Sequence, residues 1–141
     1  MVFGAVEREG QVITKIVPDT TKESLIDAVK ENVEQGSIMV SDENPSYNGL
    51  SKDYRHAKVN HSSGQYVIGA AHTNTIEGFW SLLKRQINGI HHYVSPKHLQ
   101  RYCNEASFRY NAKETEQDER FANAVANCEG NLTYETLTKS I

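Results

Sequence analysis

Two carboxylates have neighbours that would let them do chemistry. Asp42 follows the run Ser37–Ser41, which is nearly all apolar and reads as a short strand buried on both faces, and Asn44-Pro45 breaks the chain just beyond it. The end of a strand is where α/β sheets hold ligands and reacting groups, although an Asp there also serves as a turn residue. Glu77 lies near the start of a helix predicted from Asn74 to about Asn88. At about 100° per residue, Glu77 shares a polar strip with Asn74, Ser81 and Lys84, beside an apolar stripe of Ile76, Phe79, Trp80, Leu83 and Ile87. If Asp42 and Glu77 face one cleft, their hard oxygens can hold divalent cations. Paired metals activate water and stabilise the leaving oxygen in an in-line attack on a phosphodiester, and Lys84 would grip the phosphate. Periodicity alone describes a solvated Glu–Lys surface pair equally well.

The elements that must position these groups follow from pattern and punctuation. Gly4–Arg8 and Val12–Val17 read as a hairpin across Glu9-Gly10-Gln11. Thr20 with Glu23 forms a capping box for a helix whose buried face is Leu25, Ile26, Val29 and Val33, with Gly36 as its C-terminal stop. A strand at Ser37–Ser41 then gives a strand–helix–strand order, which implies a crossover within an α/β sheet. Pro45–Leu50 reads as a short helix or turn, His56–His61 as an edge strand, and Ser62–Ala71 as a loop. Gly89 closes the helix that carries Glu77. Ser95-Pro96 opens another, with Leu99, Tyr102, Cys103, Ala106 and Tyr110 inward and Arg101, Glu105 and Arg109 outward. Helices near Asp118–Asn127 and after Thr133 end the chain.

At 141 residues the chain is long enough for one domain with a real core. It has no apolar run that could span a membrane and no secretory signal, and Cys103 and Cys128 are too far apart in sequence to suggest a metal pair or disulfide framework. The net charge of −3 hides a partition. Residues 84–113 hold six basic side chains against one acidic, whereas residues 1–55 and 114–141 are each acidic. That basic stretch suits phosphate, and it suits a solvated helix surface equally.

The exact words go further than the pattern. Asp42 and Glu77 are separated by 34 residues, and Lys84 stands seven positions after the Glu. This resembles the second and third acidic residues of DDE transposases and integrases. Ser41-Asp42-Glu43-Asn44-Pro45-Ser46-Tyr47-Asn48-Gly49-Leu50 resembles the second-Asp segment of ISXO-type insertion-sequence transposases, and Asn60-His61-Ser62 resembles their next strand end. His72 to Arg85 resembles their signature helix, and His98 to Asn111 the helix after it. The resemblance covers residues 1–112, leaving 113–141 as a helical extension.

The resemblance implies a ribonuclease-H-like α/β fold, a mixed sheet flanked by helices. It also implies cleavage at transposon ends and strand transfer into target DNA with Mg²⁺, or Mn²⁺ in its place, by a homo-oligomer on DNA in the cytoplasm. Asp42 then becomes the second metal ligand and Glu77 the third. Some family members carry Asn at the third position, which Asn74 matches, but a neutral amide binds a cation less strongly than a carboxylate. Lys84, Arg85, His72 and Arg101 become the DNA contacts. The family's first Asp sits on a strand ahead of Val2-Phe3-Gly4, and neither Asp19 nor Asp27 matches it, so the chain reads as an N-terminally truncated member, lacking the first strand and inactive alone. Two alternatives stand beside this. One is a non-catalytic remnant that only binds DNA. The other is a metal protein using His56, His61, His72, His91 or His92, whose spacings match no zinc pattern.

Overall fold

A computed structural model describes residues 1–59, 67–68, 71–128, 130 and 133–138, without the side chains of 67, 68, 71 and 72. Strands β1 (Val2–Val6) and β2 (Val12–Ile16) form the expected antiparallel hairpin, with Val2 opposite Ile16 and Val6 opposite Val12. The left-handed turn residue is Glu9 rather than Gly10. Helix α1 (Lys22–Asn32) follows, then β3 (Ile38–Ser41), a 3₁₀ helix (Pro45–Lys52) and β4 (Arg55–Lys58). Strands β3 and β4 pair in parallel, so the crossover runs through the 3₁₀ helix instead of through α1. Strands β5 (Val67–Ile68) and β6 (Ala71–His72) pair where a loop was expected; the β-branched Val67-Ile68 explains it. Asn60, His61 and Ser62 lie outside the described residues.

The single mixed sheet expected from the sequence is not formed among the described residues, which build three two-stranded sheets. The two halves nevertheless share a core. Phe3 of β1, Val17, and Leu25, Ala28 and Val29 of α1 cluster with Leu50 and Tyr54, and Met39 of β3 packs against them. Among the described residues strand β3 has one partner, and Ile38 is 73% exposed, so the strand is not buried on both faces as its apolar sequence suggested. Caps also moved. Thr21, not Thr20, caps α1, accepting from the Ser24 backbone, while Asp19 holds the Thr21 hydroxyl at 2.6 Å. Gly36 (φ 88°) serves the turn into β3 rather than the helix end, and its N–H donates to the Asp53 carbonyl.

Helix α2 (Asn74–Gln86) buries Phe79 and Leu83 and packs Ile76, Trp80 and Ile87 beside them, as its stripe predicts. It lies on the hairpin at Gly4, where an added Cβ would stand 2.5 Å from the Trp80 ring. Gly89 does not end it. The chain continues as a π-helical turn, Ile87–His91, and reverses at His92 (φ 58°). A 3₁₀ turn at Pro96–His98 leads into α3 (Leu99–Asn111), whose Cys103 and Ala106 are buried while Tyr102 leaves that cluster to meet the His91 ring edge-on. Helix α4 (Gln117–Ala126) and the short α5 (Tyr134–Thr138) put no residue into the core.

The outer edge of β2 is closed by side chains of α3. Asn111 receives the Val12 N–H at 2.7 Å and returns an N–H to the Val12 carbonyl at 3.0 Å. Gln100 receives the Ile16 N–H at 2.7 Å and donates to the Thr14 carbonyl at 3.0 Å, and the Thr14 and Ser107 hydroxyls meet at 3.1 Å. Residues 100, 104, 107 and 111 fall within about 60° of one helix face, so a single stripe serves the whole edge. A strand edge with unpaired groups invites pairing with another chain, and this stripe removes that hazard. Replacing Asn111 with Leu strands both Val12 backbone groups, and should lower the unfolding free energy by about 2 kcal/mol in urea titrations.

Candidate active site

Asp42 sits one residue beyond β3, exposed, as its sequence position predicts. One carboxylate oxygen accepts the Asn44 N–H at 3.1 Å, and Asn44 in turn accepts the Ser46 N–H at 3.0 Å, starting the 3₁₀ helix. The Ser46 hydroxyl donates to the Thr20 carbonyl, tying this loop to the start of α1. The loop that carries Asp42 is therefore fixed at both ends. Behind it, Ser41 is buried and its hydroxyl bonds both the Asp42 carbonyl and His56 Nε2, each at 2.8 Å. Tyr47 lies close by, its phenol pushed up by burial and by the Asp42 charge. Sequence reasoning missed Tyr47 and His56 as neighbours of Asp42, although Tyr47 falls within the quoted motif.

Glu77 stands in the first turn of α2, exposed. The buried Thr73 donates its hydroxyl to Glu77 Oε1 at 2.7 Å, and the Glu77 N–H donates back to the Thr73 carbonyl. The carboxylate is thus steered by the residue that caps the helix. Asn74 is the first residue of α2 and is exposed; Ser81, one turn past Glu77, bonds its carbonyl. Lys84 and Arg85 occupy the last turn of α2, where cations favour the helix C-terminus.

Arg85 lines a groove between α2 and α3, and Arg101 lines an adjoining cavity of about 280 Å³ with His98, Tyr102 and Leu137, Glu105 being common to both. Only the backbone of His72 is described, paired with Val67 in the β5–β6 hairpin. Of the histidines weighed as metal ligands, His56 is taken up by Ser41 and His91 by Tyr102. Among the described residues, no three His, Cys, Asp or Glu side chains group closely enough to hold a metal ion. No described helix is long and apolar enough to cross a membrane.

Residues 1–111 match the family described as ISXO2-like transposase domain. A protein of Haemophilus influenzae (strain Rd), described as an uncharacterized transposase-like protein, is 31% identical over 109 residues, 74% of this chain and 84% of that protein. No solved structure matches.

Burial, aided by the Lys58 charge, lowers the His56 imidazole below its ordinary value of 6.5. The unfolded chain therefore takes up a proton that the folded one resists. Stability is full above 6.5 and falls as pH drops from there through the lowered folded value. Urea midpoints measured from neutral to mildly acid pH should show that decline, and His56→Gln should flatten it.

Proposed function

The chain belongs to the ISXO2-like transposase family, and on that premise we propose that Asp42 and Glu77 are two ligands of a metal-dependent centre for DNA cleavage and strand transfer. A DDE-type nuclease or transferase chemistry, DNA binding and divalent metals belong to this family in general. The observation that carries the reading is the preparation of the two carboxylates. Asp42 is presented at the open end of β3 by a loop anchored at both ends, and Glu77 is steered by the buried Thr73 hydroxyl. Their hard oxygens suit Mg²⁺ or Mn²⁺. When bound, such an ion polarises the phosphodiester and activates the attacking oxygen.

The chain's own residues supply the remainder. Lys84 returns to within about 20° of Glu77 on α2 and neutralises a phosphate there. Asn74, at the N-terminal end of the same strip, places a neutral amide beside the carboxylate. Ser41 and His56 support the strand end beneath Asp42. The ribonuclease-H-like arrangement is the fold in which we place these parts, with β1–β2 and β3–β4 as two portions of its sheet. We read residues 1–112 as the catalytic region and 113–141 as its extension.

A second reading has an observation in its favour. With no three-ligand group among the described residues, the chain would bind DNA through Lys84, Arg85 and Arg101 without cutting it. DNA binding that survives chelation, with no Mg²⁺-dependent nicking, would select that reading.

Titration with Mn²⁺, followed by water-proton relaxation, tests the pair directly. Asp42→Asn and Glu77→Gln should each weaken binding about tenfold or more, and Asn74→Ala should barely change it. Loss on Asn74→Ala with none on Glu77→Gln would move the third position to Asn74, and indifference to Asp42→Asn would sink the pair. For DNA, Lys84→Ala should weaken duplex binding evenly across sequences and reduce the salt slope by about 1.

A further inference from the structure

Helix α4 is amphipathic, and among the described residues nothing buries its apolar side. Phe121 and Val125 stand one turn apart with 72% and 55% of their surfaces exposed, and Cys128, just past the helix end, is exposed as well. Asp118 flanks this row within about 60°. The stretch holding it is acidic: Glu114, Glu116, Asp118 and Glu119 against Arg120. Scattered exposed apolar residues are ordinary, but an aligned row on one helix face is the pattern of a partner helix.

A receptor of opposite character lies elsewhere on the same chain. Between α2 and α3 runs a groove of about 660 Å³ floored by Phe79, Leu82, Ala106 and Tyr110. Its rim carries Arg85, Arg109 and Lys113. Glu105 neutralises Arg109 at 2.9 Å, and Lys113 leans over the Tyr110 ring. Among the described residues, Arg85 and Lys113 have no carboxylate partner. Ile90, 71% exposed, extends the apolar lining past the π-helical turn.

We propose that α4 of one copy seats Phe121 and Val125 in the α2–α3 groove of a second copy, reciprocally, with Asp118 set against Lys113 or Arg85. Charge complementarity and the apolar match favour this occupant. A clamp in the connecting turn keeps α4 from folding back into its own groove. Arg120 Nη2 donates to the carbonyls of Thr115 at 2.8 Å and Lys113 at 3.3 Å, pinning α4 to the end of α3. Swinging α4 onto its own chain would break both bonds. Two identical contacts related by a twofold axis close the assembly, so the product is a dimer and not a fibre. The inference is independent of the catalytic reading.

Sedimentation equilibrium of the full chain from low to high micromolar concentration tests it. The wild type should dimerise. Phe121→Glu on the helix, or Leu82→Glu in the groove, should each weaken association about thirtyfold per groove, with unchanged far-UV circular dichroism. Asp118→Lys and Lys113→Glu should each weaken it, and the double variant should recover it. A wild type that is monomeric throughout, or a dimer indifferent to Phe121→Glu and Leu82→Glu, overturns the proposal. A monomer whose duplex-DNA affinity falls on Lys113→Glu would assign the groove to nucleic acid instead, and equally overturn it.

Discussion

The side chains that α3 lends to the edge of β2 are the constraint on which the other placements rest. Backbone groups on a strand edge must pair with something, and here the partners are two amides and a hydroxyl from one helix face. Because Gln100 and Asn111 are three turns apart, they fix the angle of α3 as well as its distance. Once α3 is set, Cys103 and Ala106 define one wall of the second core, and Phe79 and Leu83 of α2 complete it. The Phe79 ring meets Tyr110 and Trp80 edge-on, at 5.6 and 5.4 Å between centroids. The orientation of α2, and with it the direction of Glu77, is therefore inherited from hydrogen bonds made on the far side of the hairpin.

The other carboxylate depends on a different core. Asp42 takes its position from β3, which is held by its pairing with β4 and by Met39 against the α1 cluster. Among the described residues, β1 contributes to both clusters. Phe3 points into the α1 cluster, while Gly4 gives Trp80 room on the opposite face. Alternation along a strand puts neighbouring residues on opposite faces, so two adjacent positions of β1 join the two cores.

The parts legible in the sequence were those with a strong period. The stripe on α2 and most of the inward face of α3 were readable because burial repeats along them, and the β1–β2 hairpin and the strand end at Asp42 because β-branched or apolar runs meet turn residues. What failed has physical reasons. An all-apolar strand was taken as doubly buried, but apolar sequence does not reveal how many partners a strand has, and Ile38 remains in solvent. Gly89 looked like a helix stop, yet glycine only permits left-handed backbone; His92 adopts it instead. That Gln100, Ser107 and Asn111 bond β2 was not expected. Their common face adjoins the buried Cys103 and Ala106, but the polar strip of α2 adjoins a buried stripe too, so periodicity alone did not mark them.

The sequence left the local excess of positive charge open between a phosphate-facing stretch and a solvated helix surface. On α2, Lys84 and Arg85 are neighbours in sequence but diverge by about 100° around the axis. Lys84 continues the strip that begins with Glu77, while Arg85 turns to the rim of the α2–α3 groove. One helix thus places one cation beside the carboxylate strip and another beside an apolar trough. The trough is floored by side chains that gain nothing from phosphate, and the strip has no apolar floor to attract a helix. Charge alone cannot distinguish these faces; the hydrophobic surroundings of each cation do.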